Sequence, residues 1–217
     1  MRKEEVISFL KDVKSGNVKF EFDILSDKKE KLGKIRPILD SKISDNSEII
    51  RFITKWREYY KENFLSQFPV SEERTKNWLQ NQVINKDNRI LFIIQTPDGK
   101  LAGHIGVIFF EVDEDTCEID NVVKAADCNI PGLMYHALKT LNNFLFNSLK
   151  MKKIFLRVFS DNIKAKNLYL ACGFSKTKEI KLKRVVQGDT IKYIEIPEEI
   201  NEPYDRILYI MEILREE

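Results

Sequence analysis

Leu156-Arg-Val-Phe-Ser-Asp-Asn162-Ile-Lys-Ala165-Lys-Asn-Leu-Tyr169-Leu-Ala-Cys-Gly173-Phe174 reads as a short strand that turns directly into a helix. Ile154, Leu156 and Val158 alternate with Phe155, Arg157 and Phe159, the pattern of a β-branched and aromatic strand covered on both faces. Ser160 and Asp161 offer side-chain oxygens to cap the helix, and Gly173 supplies a left-handed residue just past its end. Asn162 and Tyr169 lie seven residues apart, close to two turns, so they share one side of the helix while Leu168 and Cys172 take another. From spacing alone, the pair is either a packed tyrosine with a first-turn asparagine or the wall of a site.

The chain upstream completes a unit. Cys117-Glu-Ile-Asp-Asn-Val-Val-Lys124 reads as a strand, and Ala125-Ala-Asp-Cys-Asn129-Ile-Pro131-Gly132-Leu-Met134 as a loop entering a helix. Met134, Ala137, Leu138, Leu141, Phe144, Leu145 and Leu149 recur at helical spacing, and Pro131 suits a first helical turn, where no hydrogen bond is lost. Strand, loop, helix and strand imply a parallel pair joined by a right-handed crossover. Such a helix aims its free N–H groups and positive dipole end at the crevice beyond the strand ends, which makes an anion site. Gly132 would let a phosphate approach the backbone closely.

From about Lys34 to the C-terminus the chain resembles the GNAT superfamily of N-acetyltransferases. The resemblance is carried by Asp161-Asn162-x-x-Ala165-x-x-x-Tyr169-x-x-x-Gly173-Phe174, which is similar to the family's second cofactor motif and the short helix behind it. Lys34-Ile-Arg-Pro37, followed by Asp45 and a helix, resembles the family's first strand and helix. Ser71 to Leu79 resembles its second helix, and the Pro97-Asp98-Gly99 turn its central hairpin. Arg206 to Met211 resembles the closing strand. One loop departs from the family pattern: Asn129 stands where Gln or Arg is usual, Gly132 matches, and Met134 replaces a small residue.

The resemblance implies an α/β (α+β) fold with a twisted, mostly antiparallel mixed sheet. A parallel pair, the family's fourth and fifth core strands, is splayed around the cofactor, and helices lie on both faces. Residues 1–32 would be an N-terminal helix and strand extension, and 33–217 the acetyltransferase domain. The implied activity is direct transfer of an acetyl group from acetyl-CoA, the cosubstrate, to a primary amine: an amino sugar, another small molecule or a peptide N-terminus. The alternative is a non-catalytic acyl-CoA-binding or interaction module, motivated by Asn129 and Met134.

An attacking ammonium, with a pKa near about 10.4, must first lose a proton. Glu118 and Asp120 are two apart on one strand and share a face, so either is a candidate base, directly or through water; the alternative is a pair of acids tied to neighbouring loops or lysines. The resemblance places an oxyanion-stabilising backbone N–H at a bulge around Asn121, Val122 and Val123, where the pantetheine amides would also pair. It gives Tyr169 the proton for the leaving thiolate and puts Asn162 and Ala165 beside the pantetheine arm. Asn129, Gly132, Leu133 and Met134 would cradle the pyrophosphate.

Composition bounds these readings. The 217 residues, 43% hydrophobic, suffice for one sizeable core. A net charge of +2 with acids and bases intermixed argues against a dedicated nucleic-acid or membrane surface. No apolar run approaches a membrane span, and Met-Arg-Lys-Glu-Glu lacks a signal-peptide h-region, so a cytoplasmic location is expected. Cys117, Cys128 and Cys172 form no CxxC pair; free thiols are expected, with Cys128 a poor candidate nucleophile for want of a relay. Two histidines, His104 and His136, are too few for a histidine-rich metal site, and no metal is expected. A homodimer is left open.

Three peripheral segments complete the reading. Residues 3–15 have the pattern of an amphipathic helix, Val18 to Ile24 alternates like a strand, and Asp27 to Gly33 reads as a charged link. After Phe174, Lys178–Val186 and Thr190–Ile196 form a hairpin around Gly188, its lysines fitting the solvated face of an edge strand or a surface aimed at phosphate. Acceptor clefts in the resembled fold are built from residues corresponding roughly to 45–82 and 178–196. Trp56, Tyr59, Tyr60, Phe64 and Phe68 either line such a cleft or pack in the core.

Overall fold

The run Ile90-Leu-Phe-Ile-Ile94 is apolar at every position, which a strand tolerates only when both of its faces are covered. The computed structural model, which describes residues 3–43, 47–111 and 115–215, shows that arrangement. Ile90, Phe92 and Ile94 pack into one core with Val6, Leu10, Leu138 and Leu141, while Leu91 and Ile93 pack into a second with Ile50, Ile53, Trp56 and Leu79. The helices therefore lie on both faces because alternate side chains of the central strand need cover on both.

The elements in order are α1 (Lys3–Ser15), β1 (Phe22–Leu25), β2 (Lys31–Pro37), α2 (Glu48–Tyr59), β3 (Ser66–Gln67), α3 (Glu72–Leu79, continued by a π-helical turn Gln80–Ile84), β4 (Arg89–Gln95), β5 (Leu101–Glu111), β6 (Thr116–Lys124), α4 (Leu133–Asn147), β7 (Lys153–Phe159), α5 (Ile163–Ala171), β8 (Ser175–Gln187), β9 (Thr190–Glu195) and β10 (Arg206–Leu214). They form a ten-stranded sheet ordered β1-β2-β4-β5-β6-β7-β10-β8-β9-β3. Every pairing is antiparallel except β6 with β7. The mixed, mostly antiparallel sheet flanked by helices is the expected fold.

Two features of β6 position everything that follows. Its parallel pairing with β7 covers only Thr116↔Lys153, Cys117↔Ile154 and Glu118↔Phe155, although both strands run on. Beyond Glu118 they part. On its other side, β5 pairs His104 with Val123 and Gly106 with Asp120, so Ile105 alone faces Asn121 and Val122. That is a β-bulge, and Asn121 adopts φ 48°, a left-handed value that asparagine tolerates better than most residues.

Four sequence expectations are corrected. The cap of α5 is Asn162, whose Oδ1 accepts the Ala165 N–H at 3.2 Å, rather than Ser160 or Asp161. Asp161 is engaged by Arg206, which donates to both carboxylate oxygens at 2.9 and 2.8 Å. Pro131 precedes the first turn of α4, because Gly132 caps the helix at φ 70° and Leu133 is its first residue. The charged link is largely a hairpin: β1 pairs with β2 from Leu25↔Lys31 onward, and Ser26 Oγ accepts the Glu30 N–H at 3.1 Å. Strand β8 is not an edge, since it lies between β10 and β9, and β9 in turn pairs with β3 through Ser66↔Lys192 and Gln67↔Ile191. Its lysines meet local partners, Lys176 with Glu179 and Lys178 with Glu198, each at 2.6 Å, and Lys183 donates to Pro203 O at 3.1 Å. Asp45 lies outside the described residues.

Candidate active site

The parting of β6 and β7 opens a cavity of about 690 Å³ between them. Glu118, Asp120, Asn121, Val122 and Val123 form its β6 wall, and Asn162, Ala165 and Tyr169 the wall from α5. Asn129 and Met134 line its end near α4. Ten of the twelve predicted site residues therefore come together. Gly132 and Leu133 do not face the cavity: Gly132 makes the turn into α4, and Leu133 buries its side chain in the core, leaving only backbone groups toward the helix N-terminus.

The two carboxylates of β6 are held differently. Glu118, 2% exposed, receives a two-point ion pair from Arg157, Nε to Oε1 at 2.8 Å and Nη2 to Oε2 at 3.1 Å. The geometry follows from register: Phe155 faces Glu118, and Arg157 stands two residues on, with its side chain on the same face. Asp120 receives Arg89 Nη2 and Asn121 Nδ2 on Oδ2 alone. Its Oδ1 is buried without a hydrogen-bond partner, beside Gly106, where any β-carbon would collide with it. Burial pushes the Asp120 pKa up to about 6, with Arg89 opposing and the Glu118 charge adding to the rise.

The bulge has a second support on the opposite side. His104, 3% exposed, places Nδ1 2.7 Å from Asn121 O. Burial depresses its pKa to about 4, so the ring is neutral near pH 7. A carbonyl can only accept, so Nδ1 carries the proton and Nε2 is left as the acceptor. On the α5 wall, Asn162 uses Oδ1 for its cap, which leaves Nδ2 as its donor end. Tyr169 is 6% exposed, and burial raises its hydroxyl well above the usual range, so it stays protonated.

A second cavity of about 220 Å³ adjoins the first and shares Arg57, Phe64, Ser66, Trp78 and Asn121 with it. Phe64 and Phe68 line it, and Tyr60 lines the larger one, whereas Trp56 is core and Tyr59 is exposed. The aromatic set is thus divided between the two alternatives. Four residues outside the predicted set belong to the site: Arg57, Arg89, His104 and Arg157. An arginine inside the otherwise apolar strand 154–159 was a readable signal for Arg157; the others come from separate elements and carried none. Cys128 lines the larger cavity, and neither His104 nor His136 lines it. Among the described residues no cluster of three or more His, Cys, Asp or Glu is arranged to hold a metal ion.

The family model of the acetyltransferase (GNAT) domain matches residues 35–175. No curated protein matches the sequence. Among solved structures, a spermidine N-acetyltransferase from Vibrio cholerae in complex with CoA and spermine superposes with a TM-score of 0.64 at 17% identity, covering 83% of this chain and 94% of that one. The spermidine/spermine N-acetyltransferase SpeG of the same organism, in complex with manganese ions, gives 0.59 at 18%, covering 85% and 93%. A dodecameric spermidine N-acetyltransferase from that organism gives 0.60 at 17%, covering 83% and 92%. At these identities the likeness is one of fold.

Proposed function

The chain belongs to the GNAT acetyltransferases and is an acyltransferase, and from that premise we propose that it moves the acetyl group of acetyl-CoA directly onto a primary amine. The observation that supports this best is the coincidence of the bulge with the point where β6 leaves β7, since it takes Asn121 and Val122 out of the β5 ladder and sets them beside a carboxylate of raised pKa on one wall of the same cavity.

The residues suit an extended thioester ligand. The cavity lies between two strands, its lining reaches the N-terminus of α4, and the Asn162 amide and the backbone of the bulge offer it polar groups. When bound there, acetyl-CoA supplies an activated acyl group. Asp120, ionised above about pH 6, accepts the ammonium proton directly or through water, because Glu118 has both oxygens occupied by Arg157. Backbone N–H groups at Asn121 to Val123 stabilise the charge that develops on the acyl oxygen. Tyr169, protonated and at the α5 wall, donates to the departing thiolate, and Asn162 holds the pantetheine arm.

Release of free CoA thiol over a panel of amines, with thermal shift by acetyl-CoA, tests the reading. Acetyl-CoA should stabilise the fold and at least one amine should be turned over. Tyr169→Phe should lower turnover more than the acetyl-CoA shift. An unchanged rate would remove Tyr169 from the chemistry, and stabilisation without turnover on every amine would overturn the transfer reaction.

A further inference from the structure

Among the described residues no acid pairs with the Arg57 guanidinium. It is half-buried, burial brings its pKa down to about 10, and no acidic group contributes to that shift. Its one described hydrogen bond is from Nη2 to Ser66 O at 2.6 Å, and its guanidinium carbon sits 3.5 Å from the Phe64 ring centroid and 5.2 Å from that of Phe68. Stacking fixes the plane of the group but leaves most of its five donors for other partners. A desolvated cation of this kind is costly unless an anion meets it for part of its working life.

The surroundings favour an anion throughout. The 220 Å³ cavity that Arg57 lines also contains Arg74, and no Asp or Glu lines it among the described residues. Arg74 is only loosely matched, 3.7 Å from Asp189. The two carboxylates that line the adjoining cavity are already paired, Glu118 with Arg157 and Asp120 with Arg89. His104 is neutral near pH 7 and adds no charge. A second ammonium on an acceptor would therefore meet like charge here, whereas a carboxylate or phosphate would meet a fork of donors matched to its oxygens.

Placement connects this anion site to the chemistry. Arg57 and Asn121 line both cavities, so the small cavity opens at the bulge. Its other walls are Phe64, Phe68 and Trp78, and β3, between Phe64 and Phe68, is tied to β9. We propose that the acceptor is a small amine that also carries an anionic oxygen group, carboxylate or phosphate, which Arg57 binds in this cavity while the amine reaches the bulge. The proposal rests on the transfer reading above. It separates this chain from the polyamine named in the complex it resembles in fold.

The test compares matched amines on the full chain at saturating acetyl-CoA. Phenylalanine is set against phenethylamine, phosphoethanolamine against ethanolamine, and spermidine stands alone. The anionic member of at least one pair should have a kcat/KM at least tenfold higher, the carboxylate and phosphate arms telling which group is taken. Arg57→Gln should remove that preference and Arg57→Lys should keep part of it. A wild-type preference for spermidine or for the partners that lack the anionic group would overturn the proposal while leaving acetyl transfer standing. A parallel thermal shift with phenylpropionate and inorganic phosphate needs no turnover. Saturable stabilisation lost in Arg57→Gln supports the anion site even if no amine reacts, and no stabilisation in the wild-type chain counts against it. These wild-type results decide the matter even where Arg57→Gln fails to melt cooperatively.

Discussion

Asp120 and His104 flank Asn121 and carry opposite consequences for pH. Asp120 has a folded pKa near 6 against an ordinary 3.8, so the folded state holds its proton more tightly and this group's contribution to stability declines as pH rises from about 4 to 6. His104 has a folded pKa near 4 against 6.5, so its contribution is present above 6.5 and lost as pH falls toward 4. Each shift is worth about 3 kcal/mol at about 1.4 kcal/mol per unit, and they oppose. Asp120→Asn should therefore melt with a steeper loss of stability between pH 7 and 5 than the wild-type chain, a comparison calorimetry can make; parallel curves would disprove the opposition. In kinetics, the acidic limb of kcat/KM, which reports the free enzyme, should fall near pH 6 and disappear in Asp120→Asn, because His104 is neutral across that range. Gly106→Ala offers an independent check, since its β-carbon takes the space of Asp120 Oδ1. At least a tenfold loss of turnover with acetyl-CoA stabilisation retained is the expected result. Alternation along β6 made the shared face of Glu118 and Asp120 legible, and a lone arginine in an apolar strand marked Arg157; the pairing of these acids with Arg157 and Arg89 was not legible, because both arginines arrive from other strands, β7 and β4, through long-range pairing.

At the scale of elements, the sequence showed helices and strands where periodicity was strong and failed at their junctions. The cap at Ser160 or Asp161, the first-turn place of Pro131 and the edge place of β8 were misread for one reason: a cap or an edge is defined by what lies opposite, and Arg206 on Asp161, the αL turn at Gly132 and strand β10 are invisible from within the segment. The end of α3 is a further case. Its π-helical turn exposes carbonyls that a helix terminus leaves without partners, and Lys14 of α1, only 4% exposed, directs Nζ to Val83 O, Ile84 O, Lys86 O and Arg89 O. A cation at a helix C-terminus is favoured by the dipole as well as by these bonds. Lys14→Met keeps the length of the side chain but leaves the carbonyls unmet, and should cost about 1–3 kcal/mol in denaturant unfolding. The KM for acetyl-CoA should not move, because neither Lys14 nor its partners line either cavity. A variant as stable as the wild type would show that water serves these carbonyls equally well.

Over the whole molecule, the cleft exists because a continuous sheet is interrupted at one place, and the strands either side must be held rigid for the gap to persist. The parallel pair was foreseeable from strand, loop, helix and strand, but its short extent was not, since pairing ends where β6 approaches its bulge and α5 walls the opening. Residues before Lys31 contribute to that rigidity. Val6, Leu10, Val13 and Ile24 are all at most 1% exposed and belong to the same core as α4, β4 and β7, and Phe9, Phe20 and Phe22 form edge-to-face and tilted contacts with one another and with Phe144. Burial of each aliphatic side chain is worth about 1.5–3 kcal/mol, so the four together are comparable to the roughly 5–15 kcal/mol by which a domain of this kind is stable. A chain starting at Lys31 would also lose the Lys14 contacts and expose β2 as a new edge. Such a truncation should show no cooperative thermal transition and should bind a dye for exposed apolar surface, whereas a melt within a few degrees of the full chain would mean that residues 35–175 with the C-terminal strands hold the cleft unaided.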